Sequence, residues 1–248
     1  MMSLKQAEKQ ILKYTGKAIS DYNLIEEGDR IMVALSGGKD SYTLLHILEI
    51  LRRKAPIKFS LIAVNIDPDF SGYRTNIIED FLKENGYEYE MVKTNIYETI
   101  EKHIDPNTSY CSFCSRLRRG VIYNKAVELG CTKIALGHHM DDFIETLLLN
   151  QFFNGEIKAM AAKLVSDDKR NVVIRPLVNV DEALIREYSA MMEFPIICCC
   201  CPVCGDENLM RKYIKKMLNE LSQKHPGIKR SMLRSLSNVN RRHLLIKD

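Results

Sequence analysis

The sequence predicts an α/β fold, a doubly wound parallel sheet with helices on both faces and a small helical extension at its C-terminal end. Two observations support this prediction. Short apolar segments alternate with amphipathic segments of helical periodicity along most of the 248 residues. The connections between the apolar segments are long enough for the crossover helices that parallel strands require. Such a sheet binds ligands beyond the carboxyl ends of its strands.

Five segments have the length and composition of strands. Four are short and mainly apolar, as expected of strands that a parallel sheet buries on both faces. They cover residues 29–35, 59–67, 133–139 and 171–180. The fifth, residues 87–95, alternates in polarity and predicts a strand at the edge of the sheet.

Amphipathic segments between and after these strands predict helices. They cover residues 3–23, 41–54, 73–86, 112–130, 141–153, 181–193 and 208–225. Asp181 is placed to cap the helix that follows it. Residues 154–170 have no such pattern and predict a basic, mobile connection.

Composition and charge are those of a soluble globular chain, with 46% hydrophobic and 27% charged residues. No apolar run approaches the roughly 20 residues of a membrane span, and the charged N-terminus has no signal-peptide core. We therefore expect a cytoplasmic protein with no membrane partner. The net charge of +4 is mild, but Arg116, Arg118, Arg119 and the basic segment 224–248 are candidate contacts for nucleic-acid phosphates.

A glycine pair lies where the first predicted strand meets the next helix, in the stretch VALSGGKDS. Residues 36–41 bring backbone N–H groups and the positive end of a helix dipole to one point, which favours an anion such as phosphate. Ser36 and Ser41 add hydroxyl groups. Asp40 suits such a site if Mg²⁺ mediates, because Mg²⁺ takes carboxylate oxygens. The spacing differs from the GxxxxGK[ST] loop of other nucleotide-binding proteins.

The stretch SGGKDS resembles the PP-loop of the ATP pyrophosphatases, a family with a Rossmann-like, adenine nucleotide alpha hydrolase-like sheet. Its members cleave ATP between the α and β phosphates and adenylate a substrate. The resemblance implies ATP-binding residues in the loop, at the end of the second strand and in the stretch GHHMDD. They are Ala34, Leu35, Ser36, Gly37, Gly38, Lys39, Asp40, Ser41, Val64, Asn65, Gly137 and His138. Asp67 lies two positions after Asn65, at the end of the same strand. The resemblance implies Asp40 and Asp141 as catalytic acids.

Five of the eight cysteines fall between residues 198 and 204, in the stretch ICCCCPVCG. Adjacent thiols bridge each other only with strain, and they oxidise when exposed. In a reducing compartment such a cluster favours a metal or redox centre over disulfides. Cys131, at the start of a predicted strand, has the pattern of a structural cysteine.

The whole chain is similar to the bacterial tRNA 2-thiocytidine synthetases, a branch of the PP-loop proteins. Four stretches carry this resemblance in the order of the family: SGGKDS, CSFCSRLRRG, KLVSDD…NVVIRPL and FPIICCCCPVCG…HPG. With the helix pattern, it predicts an ATP-binding catalytic domain over residues 1–180, which includes the N-terminal helix and an inserted CxxC helix. A helical extension with the second cysteine motif is predicted over residues 181–248.

This second resemblance implies a [4Fe–4S] cluster held by Cys111, Cys114 and Cys201, with Cys204 as the alternative third ligand. Three thiolate ligands leave one iron open to an exogenous sulfide. The cysteines at 198–200 depart from the family pattern. They are spare ligands, persulfide carriers or small buried residues. The alternative metal is zinc, held by both CxxC pairs.

The implied reaction modifies cytidine 32 in the anticodon loop of tRNA. The C2 oxygen attacks the α-phosphate of ATP, pyrophosphate leaves, and sulfide then displaces AMP. Arg118 is the implied contact to substrate or phosphate. The implied partners are tRNA, a cysteine desulfurase as sulfur donor and a second copy of the chain in a homodimer. The alternatives are a 2-thiouridine or lysidine synthetase, and a zinc-stabilised RNA-binding module without catalytic activity.

Overall fold

The computed structural model describes residues 2–104, 110–197 and 209–245, apart from the side chains of Cys111 and Leu209. Its strands are β1 Arg30–Ala34, β2 Ser60–Asp67, β3 Tyr89–Lys93, β4 Lys133–Ala135, β5 Lys163–Val165 and β6 Val172–Ile174. They form one sheet in the order β3-β2-β1-β4-β6-β5. All neighbours pair in parallel except β5 and β6. The predicted parallel sheet is confirmed, with β3 at an edge.

The helices begin and end close to the predicted positions wherever one was predicted. They are α1 Leu4–Asp21, α2 Lys39–Lys54, α3 Thr75–Glu84, α4 Ile96–His103, α5 Tyr110–Glu128, α6 Met140–Leu149, α7 Glu182–Met191, α8 Leu209–Lys224 and α9 Ile228–Ser235. A π-helical turn follows α6 at Asn150–Asn154, and 3₁₀ turns lie at Pro176–Asn179 and Arg241–His243. Asp181 caps α7 as predicted, because its carboxylate accepts from Ala183 N at 2.9 Å.

One strand and two α-helices were not predicted from the sequence: β5, α4 and α9. The strand predicted over residues 171–180 ends at Ile174, and a 3₁₀ turn follows at Pro176–Asn179. β5 lies within residues 154–170, so the prediction of a mobile connection there is wrong at Lys163–Val165. This strand is three residues long and largely exposed, and α4 buries only Ile96 and Ile100. α9 contains no buried residue. α4 and α9 are eight residues long, about two turns, which is short for a helix to be identified from a sequence.

The strand register brings four carboxyl ends to the same edge of the sheet. Ala34 at the end of β1 pairs with Val64 in β2. Val33 in β1 pairs with Ala135 at the end of β4, which in turn pairs with Ile174 at the end of β6. The segments that follow β1, β2, β4 and β6 therefore emerge at one edge, where sheets of this class bind ligands.

The chain divides into two compact units, one formed by residues 1–139 and 161–207 and the other by residues 140–160 and 208–248. The first contains the whole sheet. The second contains α6, α8 and α9. Its buried core is formed by apolar residues of α6 and α8: Met140, Ile144, Leu148, Ile214 and Leu218. The predicted boundary at residue 180 stays a prediction. None of the helices in the described ranges has the length and apolar character of a membrane span.

Candidate functional site

The loop after β1 leaves the amino end of α2 without a side-chain cap. Gly37 has a φ of +80°, in the left-handed region that favours glycine. Gly38 is the N-cap residue of α2, and no side-chain hydrogen bond caps the helix there. The first backbone N–H groups and the positive end of the helix dipole are therefore available at the loop. Proteins use this arrangement to bind phosphate.

Ser36 and Ser41 stabilise the loop by bonding to each other. The Ser41 hydroxyl oxygen accepts from the backbone N and the hydroxyl of Ser36, both at 3.2 Å, and it donates to the carbonyl of Gly38 at 2.9 Å. Ser36 Oγ in turn accepts from Gly38 N at 3.4 Å. Both predicted loop serines thus set the loop conformation before any ligand is considered.

The end of β2 supports the same loop from the side. Asn65, which is fully buried, donates from Nδ2 to the carbonyl of Leu35 at 2.7 Å and to the hydroxyl of Tyr73 at 2.9 Å. Leu35 N donates to the carbonyl of Val64 at 2.9 Å. The Tyr73 hydroxyl also donates to the carbonyl of Ser36 at 3.4 Å. Val64 and Asn65, predicted as ATP contacts, therefore lie directly against the loop.

Lys39 and Asp40 begin α2 as a pair of opposite charges. Lys39 Nζ lies 3.0 Å from Asp40 Oδ2 and 3.2 Å from Glu182 Oε1, which belongs to α7. Burial acts to lower the pKa of Lys39, but the two carboxylates outweigh it and the pKa is raised. Lys39 is therefore a permanent positive charge at the loop. His139 Nε2 lies 3.6 Å from Asp40 Oδ1.

The end of β4 packs against the backbone at the start of α2. A Cβ atom on Gly137 would lie 3.0 Å from the carbonyl carbon of Asp40 and 3.1 Å from Ser41 N. His138 accepts a hydrogen bond at Nδ1 from Arg175 Nε at 3.2 Å. The structure thus brings Gly137 to the loop, as the sequence predicted, and places His138 beside a residue that the sequence analysis assigned no role.

Replacing Gly137 with alanine is expected to weaken ATP binding about tenfold. The new Cβ must displace helix backbone, and overpacking of this kind costs about 1–3 kcal/mol. The dissociation constant for ATP, measured by equilibrium dialysis, tests this. Gly120→Ala is the matched control, because a Cβ on Gly120 meets no atom within 4 Å. Unchanged ATP affinity in Gly137→Ala would contradict the close packing of β4 on the loop.

The chain that leads into the cysteine run is hydrogen-bonded to the loop. Ile197 N donates to the carbonyl of Gly37 at 3.0 Å. A Cβ on Gly37 would lie 2.5 Å from Ile197 Cγ1, so the two residues are in direct contact. Cys198 follows at the next position. The stretch that includes Cys201 and Cys204 lies outside the described residues.

The first turn of α5 carries the other predicted cluster ligands. Cys111 and Cys114 are three residues apart, a spacing that places both on one side of a helix. Cys114 is half-buried, and the Tyr110 ring lies 6.4 Å from the ring of Phe70, three residues beyond β2. α5 therefore starts at the carboxyl edge of the sheet. Arg118, one turn after Cys114, is partly exposed on the same helix.

Metal ligands are incompletely described, because Cys201, Cys204 and the side chain of Cys111 lie outside the described residues. Among the side chains that the structure does describe, no group of three or more His, Cys, Asp or Glu residues is arranged to hold a metal. Cys131, half-buried, has its pKa raised by burial, as expected of a structural thiol.

Asp141 belongs to the second compact unit, in the first turn of α6. Its carboxylate is almost completely buried and lies 2.6 Å from Lys229 Nζ. Four residues later, Glu145 is 3.3 Å from Arg211 Nη1, and burial raises the pKa of Glu145 despite this cation. The predicted catalytic role of Asp141 stays a prediction. Its described contact is an ion pair between α6 and α9.

Comparison with known proteins agrees with this architecture. A family model of the PP-loop domain matches residues 4–197. The tRNA-cytidine(32) 2-sulfurtransferase of Citrifermentans bemidjiense is 55% identical over 238 residues, which are 96% of this chain and 93% of that protein. The chain belongs to the tRNA-cytidine(32) 2-sulfurtransferase family. A further member, tRNA-cytidine(32) 2-sulfurtransferase 1 of Francisella tularensis subsp. novicida, is 49% identical over 247 residues, which are 99% of this chain and 92% of that protein.

Two solved structures resemble this member of the sulfurtransferase family. The U34-tRNA thiolase NcsA from Methanococcus maripaludis, solved with its [4Fe–4S] cluster, has a TM-score of 0.79 and 25% identity. The alignment covers 95% of this chain and 79% of that chain. The NH3-dependent NAD synthetase from Campylobacter jejuni has a TM-score of 0.51 and 13% identity over 96% of this chain and 93% of that chain, which shows the fold alone.

Membership in the sulfurtransferase family confirms three predictions from the sequence. They are the α/β fold, the resemblance to the 2-thiocytidine branch of the PP-loop proteins, and an enzyme of the tRNA sulfurtransferase class. The individual ATP-binding, catalytic and cluster-binding residues stay predictions.

Four residues with clear roles in the site geometry were missed by sequence reasoning: Tyr73, Arg175, Glu182 and Ile197. Arg175 and Ile197 lie in stretches that carry the family resemblance, IRPL and FPII, and this was the available signal. Tyr73 and Glu182 had no signal in a single sequence. Lys39, the partner of Glu182, is distant along the chain, and Tyr73 lies eight positions after its partner Asn65 without forming a recognisable motif with it.

Proposed function

We propose that the protein thiolates tRNA in an ATP-dependent reaction that converts cytidine 32 to 2-thiocytidine. The names of relatives that are about 50–55% identical over nearly the whole chain support the substrate. One structural observation supports a single site for both halves of the chemistry. The hydrogen bond from Ile197 to Gly37 holds the residue immediately before the cysteine run against the loop that would bind ATP.

In the first half-reaction, the loop would hold the phosphates of ATP. The amino end of α2 and Lys39 supply positive charge, and the end of β2 at Val64 and Asn65 would contact the adenosine. The C2 oxygen of the cytidine attacks the α-phosphorus, and the bond to the bridging oxygen of pyrophosphate breaks. Asp40 would hold Mg²⁺, since its Oδ1 accepts no hydrogen bond from the described residues.

In the second half-reaction, sulfur replaces the adenylated oxygen at C2 and AMP leaves. Cys111, Cys114 and Cys201, with Cys204 as the alternative to Cys201, would hold a [4Fe–4S] cluster. The donor set fits such a cluster, because all ligands are thiols and two of them share one side of α5. When bound by three thiolates, the cluster supplies an iron with an open position for sulfide. Arg118 is placed by α5 to contact phosphate or substrate, and a cysteine desulfurase would supply the sulfur.

The tRNA surface would include the second compact unit. Residues 209–245 contain ten Lys and Arg residues against one Glu, although the whole chain has a net charge of only +4. On α8, the exposed Tyr213 lies between the exposed Lys212 and Lys216. Lysines that contact phosphates beside an aromatic ring that stacks on a base are typical of single-stranded RNA binding. The reaction would occur in the cytoplasm, and we expect a homodimer.

The metal content of anaerobically purified and reconstituted protein tests this proposal. We expect about four irons and four sulfides per chain in the wild type, and loss of both in Cys114→Ala. Cys131→Ala is the matched control and should keep its cluster, since Cys131 has the pattern of a structural thiol. Nucleoside analysis of tRNA incubated with ATP and a sulfur donor should detect 2-thiocytidine for the wild type and Cys131→Ala only.

Three results would contradict the proposal in different parts. Stoichiometric zinc without sulfide would show that the cysteines form a structural Cys₄ zinc site and not an iron–sulfur cluster. Thiolated uridine in place of thiolated cytidine would reassign the substrate. Formation of 2-thiocytidine without consumption of ATP would exclude the adenylation step.

A further inference from the structure

Arg175 is a buried cation at the carboxyl end of β6. Its side chain is almost completely buried, with 9% of the residue exposed. Nε donates to His138 Nδ1 at 3.2 Å, and Nη1 donates to the carbonyl of Ala161 at 2.6 Å. Neither acceptor is a carboxylate, so neither supplies a full negative charge. Its two described hydrogen bonds thus orient the guanidinium without balancing its charge.

No Asp or Glu in the described part of the chain forms an ion pair with Arg175. Arg119 of α5, which is exposed, is close enough to act electrostatically on Arg175. Burial lowers the pKa of Arg175; of two smaller effects, Tyr123 of α5 raises this pKa and Arg119 lowers it. A buried charge is costly unless an opposite charge balances it. Arg175, a buried guanidinium without an acid partner among the described residues, is therefore poised for an anion.

We propose that Arg175 and Arg119 form a binding site for a backbone phosphate of the substrate tRNA, next to the base that is modified. The inference rests on the proposed function, and it adds a contact that positions the tRNA. A guanidinium presents two parallel N–H groups to phosphate oxygens, which suits it to this ligand better than an ammonium group. Because Arg175 also donates to His138, a bound phosphate would lie beside the predicted ATP-binding residues at the end of β4.

The strand order favours tRNA over ATP as the source of this phosphate. In the sheet, β2 lies on one side of β1 and β4 on the other, with β6 beyond β4. The loop that would hold the ATP phosphates follows β1, and the proposed adenosine contacts follow β2. At the usual spacing between strands, β6 is roughly 10 Å from β1, on the side away from β2. The adenosine end of ATP would therefore extend toward β2, and ATP would approach Arg175 only through the predicted contact at His138.

The test compares Arg175→Met with Arg170→Met, which removes the same charge five residues earlier. Arg170 is exposed and already paired with Asp168 at 2.7 Å, so its loss should leave tRNA affinity unchanged. For Arg175→Met we expect the dissociation constant of an unmodified tRNA transcript to rise about 10- to 100-fold. The ATP dissociation constant should rise less than about threefold, since Arg175 reaches the ATP site only through its hydrogen bond to His138. The slope of log affinity against log salt concentration should fall by roughly 1, as expected for the loss of one phosphate contact.

Two further variants keep the test decisive if Arg175→Met is unstable. Arg119→Met changes an exposed residue. It should weaken tRNA binding about three- to tenfold and leave the ATP dissociation constant almost unchanged. Arg175→Lys keeps the positive charge but lacks the two parallel N–H groups of the guanidinium, so it should bind tRNA with intermediate affinity. Circular dichroism and thermal unfolding establish which variants are folded.

Several outcomes would overturn the inference. Weaker ATP binding with unchanged tRNA binding would assign the phosphate to ATP. Unchanged affinity for both ligands in folded Arg175→Met or Arg119→Met would make the arginine pair structural. If the wild type binds tRNA and thiolates it, these results overturn the inference alone. A wild type that binds ATP but no tRNA would overturn the proposed function and this inference together.

Discussion

Gly37→Ala is expected to reduce tRNA thiolation at least about 100-fold and to weaken ATP binding with it. An alanine at a φ of +80° costs about 1–2 kcal/mol, and its Cβ would lie 2.5 Å from Ile197 Cγ1. If the clash is accommodated by local shifts, it destabilises the fold by about a further 1–3 kcal/mol. If it is not, Ile197 moves away from the loop. Either response disturbs both the loop at residues 36–41 and the chain that leads to Cys198. Single-turnover thiolation and ATP dialysis measure the two effects.

Two variants separate the clash from the backbone strain. Gly86 also has a positive φ, of +66°, but a Cβ there meets no atom within 4 Å. Gly86→Ala should therefore lose some stability and keep its thiolation rate. Adding Ile197→Ala to Gly37→Ala removes the atom that clashes, so the double variant should recover part of the ATP affinity. Normal activity of Gly37→Ala would show that the segment before the cysteines does not lie against the loop.

Lys133→Met is expected to destabilise the protein by about 3–5 kcal/mol, because it leaves a buried carboxylate without its partner. Lys133 Nζ lies 2.6 Å from Asp29 Oδ2, and the residues are 4% and 7% exposed. Asp29 also accepts from Glu26 N and Thr132 Oγ1, both at 2.7 Å, so its position is fixed. Urea unfolding, followed by circular dichroism, measures the loss.

Lys163→Met is the control for this charge deletion. Lys163 Nζ is more exposed and lies 3.6 Å from the exposed carboxylate of Glu26, so its removal should leave the unfolding midpoint almost unchanged. Equal destabilisation by the two variants would argue that net charge, and not the buried pair with Asp29, determines the effect.

The sequence was sufficient for the elements whose signal is local. β1 and the loop at residues 36–41 were predictable because an apolar strand, two glycines and a helix start lie next to each other. The strand at Tyr89–Lys93 was predictable as an edge strand from its alternation alone. The loop at residues 36–41 and the CxxC pair Cys111 and Cys114 also belong to the stretches that carried the family resemblance, which the comparisons confirmed.

What remained unpredictable depends on contacts between distant positions. Gly37 and Ile197 are 160 positions apart, so no local pattern indicates that a side chain lies against the glycine. The arginine of IRPL was visible in the sequence, but its burial and its neutral partners appear only when β4 and β6 are paired. β5 was missed for a different reason, because a three-residue, exposed strand has almost no compositional signature.

The discontinuous second unit has a consequence for biosynthesis. α6 buries Met140, Ile144 and Leu148 against α8, which begins about 60 residues later in the chain. Ribosomes add roughly 5–20 residues per second, so this apolar face waits about 3–12 seconds for its partner. A ten-residue helix is not stable by itself during that interval. The nascent chain therefore passes through a stage in which the exposed apolar residues of α6 favour aggregation. That stage ends when the C-terminal helices have been synthesised.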